Sequence, residues 1–127
     1  MIVADANILM ELLEQRSKYN KVVEYLNTHV QESTNIATTV LSISTVFYLA
    51  EAHKVKMSRV ENLIKPFIVL DVISDDLSWA LQNYKKRDLE DAIQIASAKR
   101  SGASKFITLD NKLSKKYCEQ ITIDLIK

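Results

Sequence analysis

The chain opens with a short run of apolar residues that ends at a carboxylate. Ile2, Val3 and Ala4 are apolar without alternation, Asp5 follows them, and a helical pattern begins within two residues. An apolar run of this length indicates a strand that is buried on both faces, as in the parallel sheet of an α/β protein. Ligands of such sheets collect beyond the carboxyl ends of the strands, so Asp5 is predicted to lie at a functional edge.

The rest of the chain alternates strand and helix patterns. Further strands are predicted over residues 35–38, 67–72, 105–110 and 120–124, and helices over 7–14, 20–30, 39–54, 59–65, 75–86 and 88–101, with a short helical turn after residue 110. The predicted capping residues are Ser17, Ser58 and Asp75 or Asp76 at helix starts, and Gly102 at a helix end. This order predicts a three-layer α/β/α fold, with a mainly parallel sheet of about five strands flanked by helices, in one domain over residues 1–127.

Composition excludes several classes of function. The 17 basic and 16 acidic residues nearly cancel, so a chain-wide basic field for nucleic acid is absent and only local patches are open. The single cysteine, Cys118, allows no intrachain disulfide or Cys-rich metal site, and the two histidines, His29 and His53, disfavour a His-based zinc site. No apolar run approaches the roughly 18 residues of a membrane helix, and no signal-peptide pattern is visible, so we expect a cytoplasmic protein without membrane contact.

Carboxylates recur where the predicted sheet would bring them together. Asp5 ends the first strand, Asp110 ends the fourth, and Asp88 and Asp91 open the helix that precedes the fourth. If the first and fourth strands are neighbours at a switch in strand order, these acids meet at one edge of the sheet. Clustered carboxylates repel one another unless a cation compensates, and their hard oxygens suit Mg²⁺ or Mn²⁺. Such ions can activate water for attack on a phosphodiester.

Each acid also has a purely structural explanation. Asp88 and Asp91 have the spacing of an N-cap aspartate and a first-turn acid that faces the positive end of a helix dipole. Asp5 and Asp110 can cap the helices that follow their strands. The joint pattern favours a site, because it requires four separate coincidences otherwise.

Three stretches resemble the PIN-domain family, the nuclease fold of VapC-type toxins. They are VADANIL at residues 3–9, DLEDAIQIASA at 88–98 and FITLDN at 106–111. Their order and spacing follow the family over essentially the whole chain. The resemblance implies a metal-dependent endoribonuclease in which Asp5, Asp91 and Asp110 bind Mg²⁺ or Mn²⁺.

The resemblance also implies supporting residues and partners. It places Asn7 and Thr108 beside the metal ligands, where they position acids or water, although hydrogen bonds to local backbone also explain them. Asp88 would lie at the edge of the cleft or cap its helix. An RNA substrate, a homodimer and a cognate antitoxin protein that covers the cleft are implied as partners.

One position departs from the family pattern. The family usually has a glutamate on the helix after the second strand, and counting from Ser42 places Tyr48 there. A neutral tyrosine hydroxyl is a poor ligand for Mg²⁺. A branch of PIN-like proteins has a similar Ser-x-Ser-x-x-x-Tyr segment. Glu51, one helical turn further on, is either a partial substitute or a solvated surface acid.

Two other functions fit parts of the sequence. A PIN-like binding or scaffold domain without activity is favoured by Tyr48 and disfavoured by the retained acids. A phosphoacceptor receiver domain also has acids at the edge of a parallel sheet, but Asp71 lies inside its strand pattern and the first strand ends in Asp5 alone. The basic runs at 85–87 and 112–116 flank the predicted cleft, where they either hold RNA phosphates or form an ordinary charged surface.

Overall fold

Five parallel strands form the centre of the molecule. The structure, a computed structural model, describes residues 1–127. The strands are β1 (Ile2–Ala4), β2 (Ile36–Thr39), β3 (Ile68–Leu70), β4 (Lys105–Thr108) and β5 (Ile123–Leu125). They lie in the order β3-β2-β1-β4-β5, and every neighbouring pair is parallel. The predicted five-stranded α/β sheet is confirmed.

Helices cover both faces of the sheet. They are α1 (Ala6–Glu14), α2 (Tyr19–Gln31), α3 (Val40–Ala52), α4 (Met57–Ile64), α5 (Ser74–Asn83), α6 (Leu89–Arg100) and α7 (Asn111–Tyr117). Successive strand residues point to opposite faces. Val3 and Phe106 pack with α5, α6 and α7, whereas Ile2, Ala4 and Ile107 pack with α1 and α2. The predicted three layers are therefore present, and no helix is both long and apolar enough to cross a bilayer.

The switch in strand order lies between β1 and β4. From β1 the sheet grows on one side through β2 and β3, and the chain then returns to add β4 and β5 on the other side. At their carboxyl ends, Ala4 pairs with Ile107. The first and fourth strands are therefore neighbours, which is the condition under which the sequence analysis expects the acids to meet. The order also differs from the 2-1-3-4-5 order of receiver domains, so the receiver alternative is wrong.

Two predicted helix caps are wrong. Ser17 does not cap α2, because the residue before that helix is Lys18 and it has no side-chain capping bond. The backbone N–H of Lys18 donates instead to the buried carboxylate of Glu11, at 2.7 Å. Ser58 lies inside α4, which begins at Met57, two residues earlier than predicted. A capping residue can be replaced by any nearby acceptor, which the local sequence does not reveal.

Helix α5 is capped by Asp76, which lies in the first turn of the helix rather than at its N-cap position. The N-cap residue is Ile73, which has no side-chain acceptor, and its N–H donates to the carboxylate of Asp76 at 2.9 Å. Asp76 is only 2 % exposed and pairs with Arg100 at 3.0 Å, so its buried charge is compensated.

The last strand is shorter than predicted, whereas the predicted helix end at Gly102 is confirmed. β5 begins at Ile123, because the N–H groups of Gln120 and Ile121 bond to the carbonyl of Tyr117 at the end of α7. Gly102 follows the end of α6 with φ of +75°, a left-handed conformation that glycine adopts at little cost.

Candidate active site

Asp5 lies directly at the carboxyl end of β1 and caps α1. Its Oδ1 accepts the N–H of Ala6 at 2.7 Å, and its Oδ2 accepts the hydroxyl of Thr108 at 2.7 Å. Asp5 is only 5 % exposed. Burial raises its pKa to about 6, against the effect of these two hydrogen bonds and with a further contribution from the negative charges of Asp110 and Glu90. Asp5 is therefore both a helix cap and an acid under electrostatic strain.

A hydrogen-bond network joins the ends of β1 and β4. The hydroxyl of Thr108 donates to Asp5 and accepts from Nδ2 of Asn7 at 3.1 Å and from the N–H of Asp110 at 3.0 Å. Oδ1 of Asn7 accepts the N–H of Leu109 at 3.1 Å. Thr108 is 101 positions from Asn7 and 103 from Asp5, so the fold brings together residues from opposite ends of the chain. The network fixes the orientation of the Asp5 carboxylate.

Asp110 and Asp91 both have carboxylate oxygens without a protein donor. Asp110 follows β4 and caps α7, since its Oδ1 accepts the N–H groups of Lys112 and Leu113 at 2.9 and 3.2 Å. Its Oδ2 has no protein donor. Asp91 lies in the first turn of α6 and accepts no hydrogen bond from the protein. These oxygens are available to a ligand.

Asp91 lies in an unusually negative environment. Its pKa is raised to about 7, first by burial and then by the negative charges of Asp5, Asp110, Glu90 and Asp88. Charges raise the pKa of a carboxyl noticeably only when they are close to it. The fold therefore brings the four predicted acids, together with Glu90, into one electrostatic field at the switch point. A cation at this edge would relieve their repulsion.

The donors at this edge are of the kind that Mg²⁺ and Mn²⁺ prefer. The partner-free oxygens of Asp91 and Asp110 are hard carboxylate ligands, and each bonded oxygen of Asp5 retains a lone pair. In their present orientations, no three carboxylate, imidazole or thiol side chains enclose a metal position. Binding one ion between them requires the carboxylates to turn toward each other. Metal ligation by Asp5, Asp91 and Asp110 stays a prediction.

Asp88 holds the loop before α6. It occupies the N-cap position but does not cap α6 through its side chain, so the predicted capping role is wrong. Its Oδ1 accepts the N–H groups of Lys85 and Lys86 at 2.8 and 3.0 Å, and its Oδ2 accepts the hydroxyl of Tyr117 at 2.7 Å and lies 3.5 Å from Nζ of Lys116. Burial alone would raise its pKa, but these donors and the Lys116 charge hold the pKa below its ordinary value. Asp88 thus fastens a basic loop to α7.

Comparison with known proteins identifies the family. The PIN domain, as a family, matches residues 2–117. The chain belongs to the PIN-domain family. No curated protein sequence matches this PIN domain closely enough to count as a relative.

Solved structures with the same fold include toxins. A toxin–antitoxin complex from Klebsiella pneumoniae superposes with a TM-score of 0.76 at 20% identity, over 100% of this chain and 98% of that chain. VapBC2 from Rickettsia felis, bound to a DNA fragment from its promoter, gives 0.74 at 14% identity over 100% of both chains. VapC20 from Mycobacterium tuberculosis, a sarcin–ricin loop cleaving toxin, gives 0.69 at 13% identity over 91% of this chain and 94% of that one. The PIN fold expected from the sequence is confirmed.

Helix α3 of this PIN domain brings no acid to the cluster. Tyr48 is 74 % exposed, and the carboxylate of Glu51 makes no hydrogen bond. Thr45 instead donates its hydroxyl to Glu90 of α6, at 2.7 Å. Glu90 is an acid near the predicted site residues that the sequence analysis did not single out. The only sequence feature that singles out Glu90 is its position between Asp88 and Asp91. Acids are common at the start of a helix, so this position alone does not indicate a site.

Two cavities of the molecule lie away from the acids. A mainly apolar cavity of about 620 Å³ lies between α2 and α4, lined by residues that include Leu26, Leu63 and Phe67. A second cavity, of about 580 Å³, lies beside Tyr25 and Asp124. The acids at the switch point line neither cavity.

Proposed function

We propose that this PIN domain is an endoribonuclease of the toxin–antitoxin kind, dependent on Mg²⁺ or Mn²⁺ and acting in the cytoplasm. The observation that carries the proposal is the mutual repulsion of Asp5, Asp91 and Asp110 at the switch point, which a divalent cation would offset. Membership of the PIN family and the fold shared with VapC-type toxins support nuclease chemistry. RNA as the substrate is supported by one of these neighbours, which is described as cleaving the sarcin–ricin loop.

The chain's own residues would hold and orient the reacting groups. Asp5, Asp91 and Asp110 would bind the ion, and Thr108 and Asn7 would keep Asp5 from turning away. When bound, Mg²⁺ or Mn²⁺ lowers the pKa of a coordinated water molecule and stabilises negative charge on the phosphodiester. Asp91 has no protein donor to compete with the ion for its oxygens.

Two basic segments beside the acids would bind the RNA backbone. The loop with Lys85, Lys86 and Arg87 is fastened by Asp88, whose Oδ2 is also 3.5 Å from Nζ of Lys116 on α7. Phosphate contacts of this kind position a strand without reading its sequence. They also make binding weaker as the salt concentration rises.

The test is cleavage of a mixed RNA pool by the purified protein with Mg²⁺, with Mn²⁺ and with EDTA. We expect cleavage with either ion, none with EDTA, and a large loss in the Asp91→Asn variant. Asp71→Asn is the matched control, because Asp71 is exposed and its carboxylate makes no hydrogen bond. Cleavage that survives EDTA or Asp91→Asn would contradict the metal mechanism. No cleavage under any condition would favour the binding or scaffold alternative, to which the exposed Tyr48 points.

We also propose a homodimer and a cognate antitoxin as partners. The proposal of an antitoxin is supported by the fold that this chain shares with toxins whose structures were solved together with their antitoxins. The dimer is supported by an exposed apolar stripe on α5 and its end, at the spacing of one helix face: Leu77, Leu81 and Tyr84. Light scattering after gel filtration should give twice the chain mass and a smaller mass for Leu81→Lys. Gln82→Lys adds the same charge beside the stripe and should leave the mass unchanged, and a monomer in all three proteins would contradict the dimer.

A further inference from the structure

Two hydrogen bonds set the register between α3 and α6. The hydroxyl of Ser42 donates to Oε1 of Gln94 at 2.5 Å, and the hydroxyl of Thr45 donates to Oε1 of Glu90 at 2.7 Å. A step of three residues forward along α3 therefore corresponds to a step of four residues back along α6, about one turn on each helix. The two helices run in opposite directions along this contact, so the path toward the end of α3 leads toward the start of α6.

The next turn of α3 carries Tyr48 past the start of α6. Tyr48 lies three residues after Thr45 on the same helix face, about 4.5 Å further along the axis. Glu90 is the second residue of α6, so the same step in the opposite direction reaches the loop of residues 85–87. Tyr48 therefore lies on the side of this loop and of the first turn of α6, which carries Asp91.

The ring of Tyr48 is left largely uncovered by the protein. Its side chain is 74 % exposed, the largest exposed fraction of any large apolar or aromatic residue in the chain. It packs against none of the three clusters that form the core, and it stacks on no other ring. Aromatic rings contribute to stability mainly through the area that they bury. The faces of this ring are therefore available to a ligand.

The neighbouring loop supplies positive charge beside the ring. Lys85, Lys86 and Arg87 are exposed, and none of their side chains forms an ion pair. The backbone of the loop is fixed, because Asp88 accepts the N–H groups of Lys85 and Lys86. Proteins hold single-stranded nucleic acid by this combination, in which cations contact the phosphates and an aromatic ring stacks on a base.

We propose that Tyr48 is a stacking platform for an unpaired base of the RNA, and that the loop of residues 85–87 holds the phosphates next to that base. The inference rests on the proposed function, because it names the form of RNA that the same site accepts. In a duplex the faces of each base are covered by neighbouring bases, so the platform selects single-stranded RNA. Tyrosine at this position of α3 would then contact the substrate rather than the ion.

The experiment is fluorescence anisotropy of a labelled single-stranded RNA and of its duplex, with EDTA present so that ion-dependent cleavage does not interfere. Tyr48→Phe keeps the ring, whereas Tyr48→Leu removes it and keeps an apolar side chain. Lys86→Gln removes one charge from the loop. Val30→Ala is the matched control, because Val30 is also exposed and apolar but lies on α2, which covers the opposite face of the sheet. Urea unfolding of each variant reports on folding.

The expected results separate stacking from charge. Tyr48→Leu should weaken binding of the single strand by about 5-fold or more, the lower end of what base–aromatic stacking contributes, and should leave binding of the duplex unchanged. Tyr48→Phe and Val30→Ala should bind both RNAs like the wild type. Lys86→Gln should reduce the slope of log Kd against log salt concentration by about 0.7 for the single strand, whereas Tyr48→Leu should leave this slope unchanged.

Three outcomes would overturn the stacking platform, and only one of them also affects the proposed function. If Tyr48→Leu binds the single strand like the wild type, or loses the single strand and the duplex equally, the ring does not stack on a base. Cleavage that still requires Mg²⁺ or Mn²⁺ and Asp91 would leave the proposed function standing in both cases. If the wild type binds neither RNA and cleaves none with either ion, both proposals fail.

Discussion

Asp91→Asn should make the metal-free protein more stable than the wild type. The substitution keeps the shape of the side chain and removes a charge that lies in the field of Asp5, Asp110, Glu90 and Asp88. The pKa of the carboxyl rises from its ordinary 3.8 to about 7 on folding. One unit corresponds to about 1.36 kcal/mol, so the shift sets an upper bound of about 4 kcal/mol on the destabilisation by this charge. Asp91 is partly open to solvent, which screens its charge, and we therefore expect a gain of about 1–2 kcal/mol.

The gain should depend on pH in a defined direction. Between about pH 4 and pH 7 the folded wild type keeps a proton that the unfolded chain has released, so its free energy of unfolding falls as pH rises. Below this range both states are protonated and the penalty is absent, and above it the penalty is complete. Asparagine has no proton to release. The difference between Asp91→Asn and the wild type should be largest near pH 8 and should nearly vanish at pH 4.

Thermal unfolding followed by circular dichroism, with EDTA present, measures this difference. A gain of about 1–2 kcal/mol should raise Tm by roughly 4–8 °C at pH 8 for a chain of this size. Asp71→Asn, the exposed control, should change stability by less than about 0.5 kcal/mol. An equal or lower Tm for Asp91→Asn at pH 8, or the same gain in stability at pH 8 and pH 4, would contradict the repulsion among the acids. That repulsion is the reason for inferring a bound cation.

Two further substitutions test the contacts around the site, and a third tests the turn after α6, all by urea unfolding. Thr108→Val removes the hydroxyl bonded to the buried Oδ2 of Asp5 and should cost about 1–3 kcal/mol, and no loss would mean that Asp5 finds another donor. Tyr117→Phe removes a donor to the buried Asp88 carboxylate and should cost about 1.5–3 kcal/mol above pH 5. Because the pKa of Asp88 is lowered on folding, this cost should shrink as pH falls toward 3, and a cost independent of pH would contradict the assignment. Gly102→Ala meets no atom within 4 Å, so its expected cost of about 1–2 kcal/mol reflects φ of +75° alone, and a neutral result would show that the loop can change conformation.

The sequence predicted the centre of the sheet better than its edges. β1 and β4 are flanked by strands on both sides, and their apolar residues, Ile2–Ala4 and Phe106–Ile107, are buried shortly before Asp5 and Asp110. β3 and β5 are edge strands with partly exposed side chains, and their predicted bounds were too long or too early. Burial on two faces leaves a clear pattern in the sequence, whereas burial on one face of a three-residue strand does not.

The site was predicted as far as strand topology determines it. The positions of Asp5, Thr108 and Asp110 follow from the rule that parallel strands end at one edge, and the structure places them in one network. The bond between Thr45 and Glu90 joins residues 45 positions apart and depends on the direction of two side chains. The helical pattern alone does not fix how α3 and α6 rotate against each other, so this contact could not be predicted.

The position of β1 in the middle of the sheet also affects the protein during its synthesis. Asp5 is translated before its partner Thr108, which is added 103 residues later. A growing chain that ends after α5 contains β1, β2 and β3 but neither Asp91 nor Asp110. The acid cluster therefore cannot assemble until the residues of α6 and β4 have been translated, so β1 waits for the second half of this domain before its site is complete.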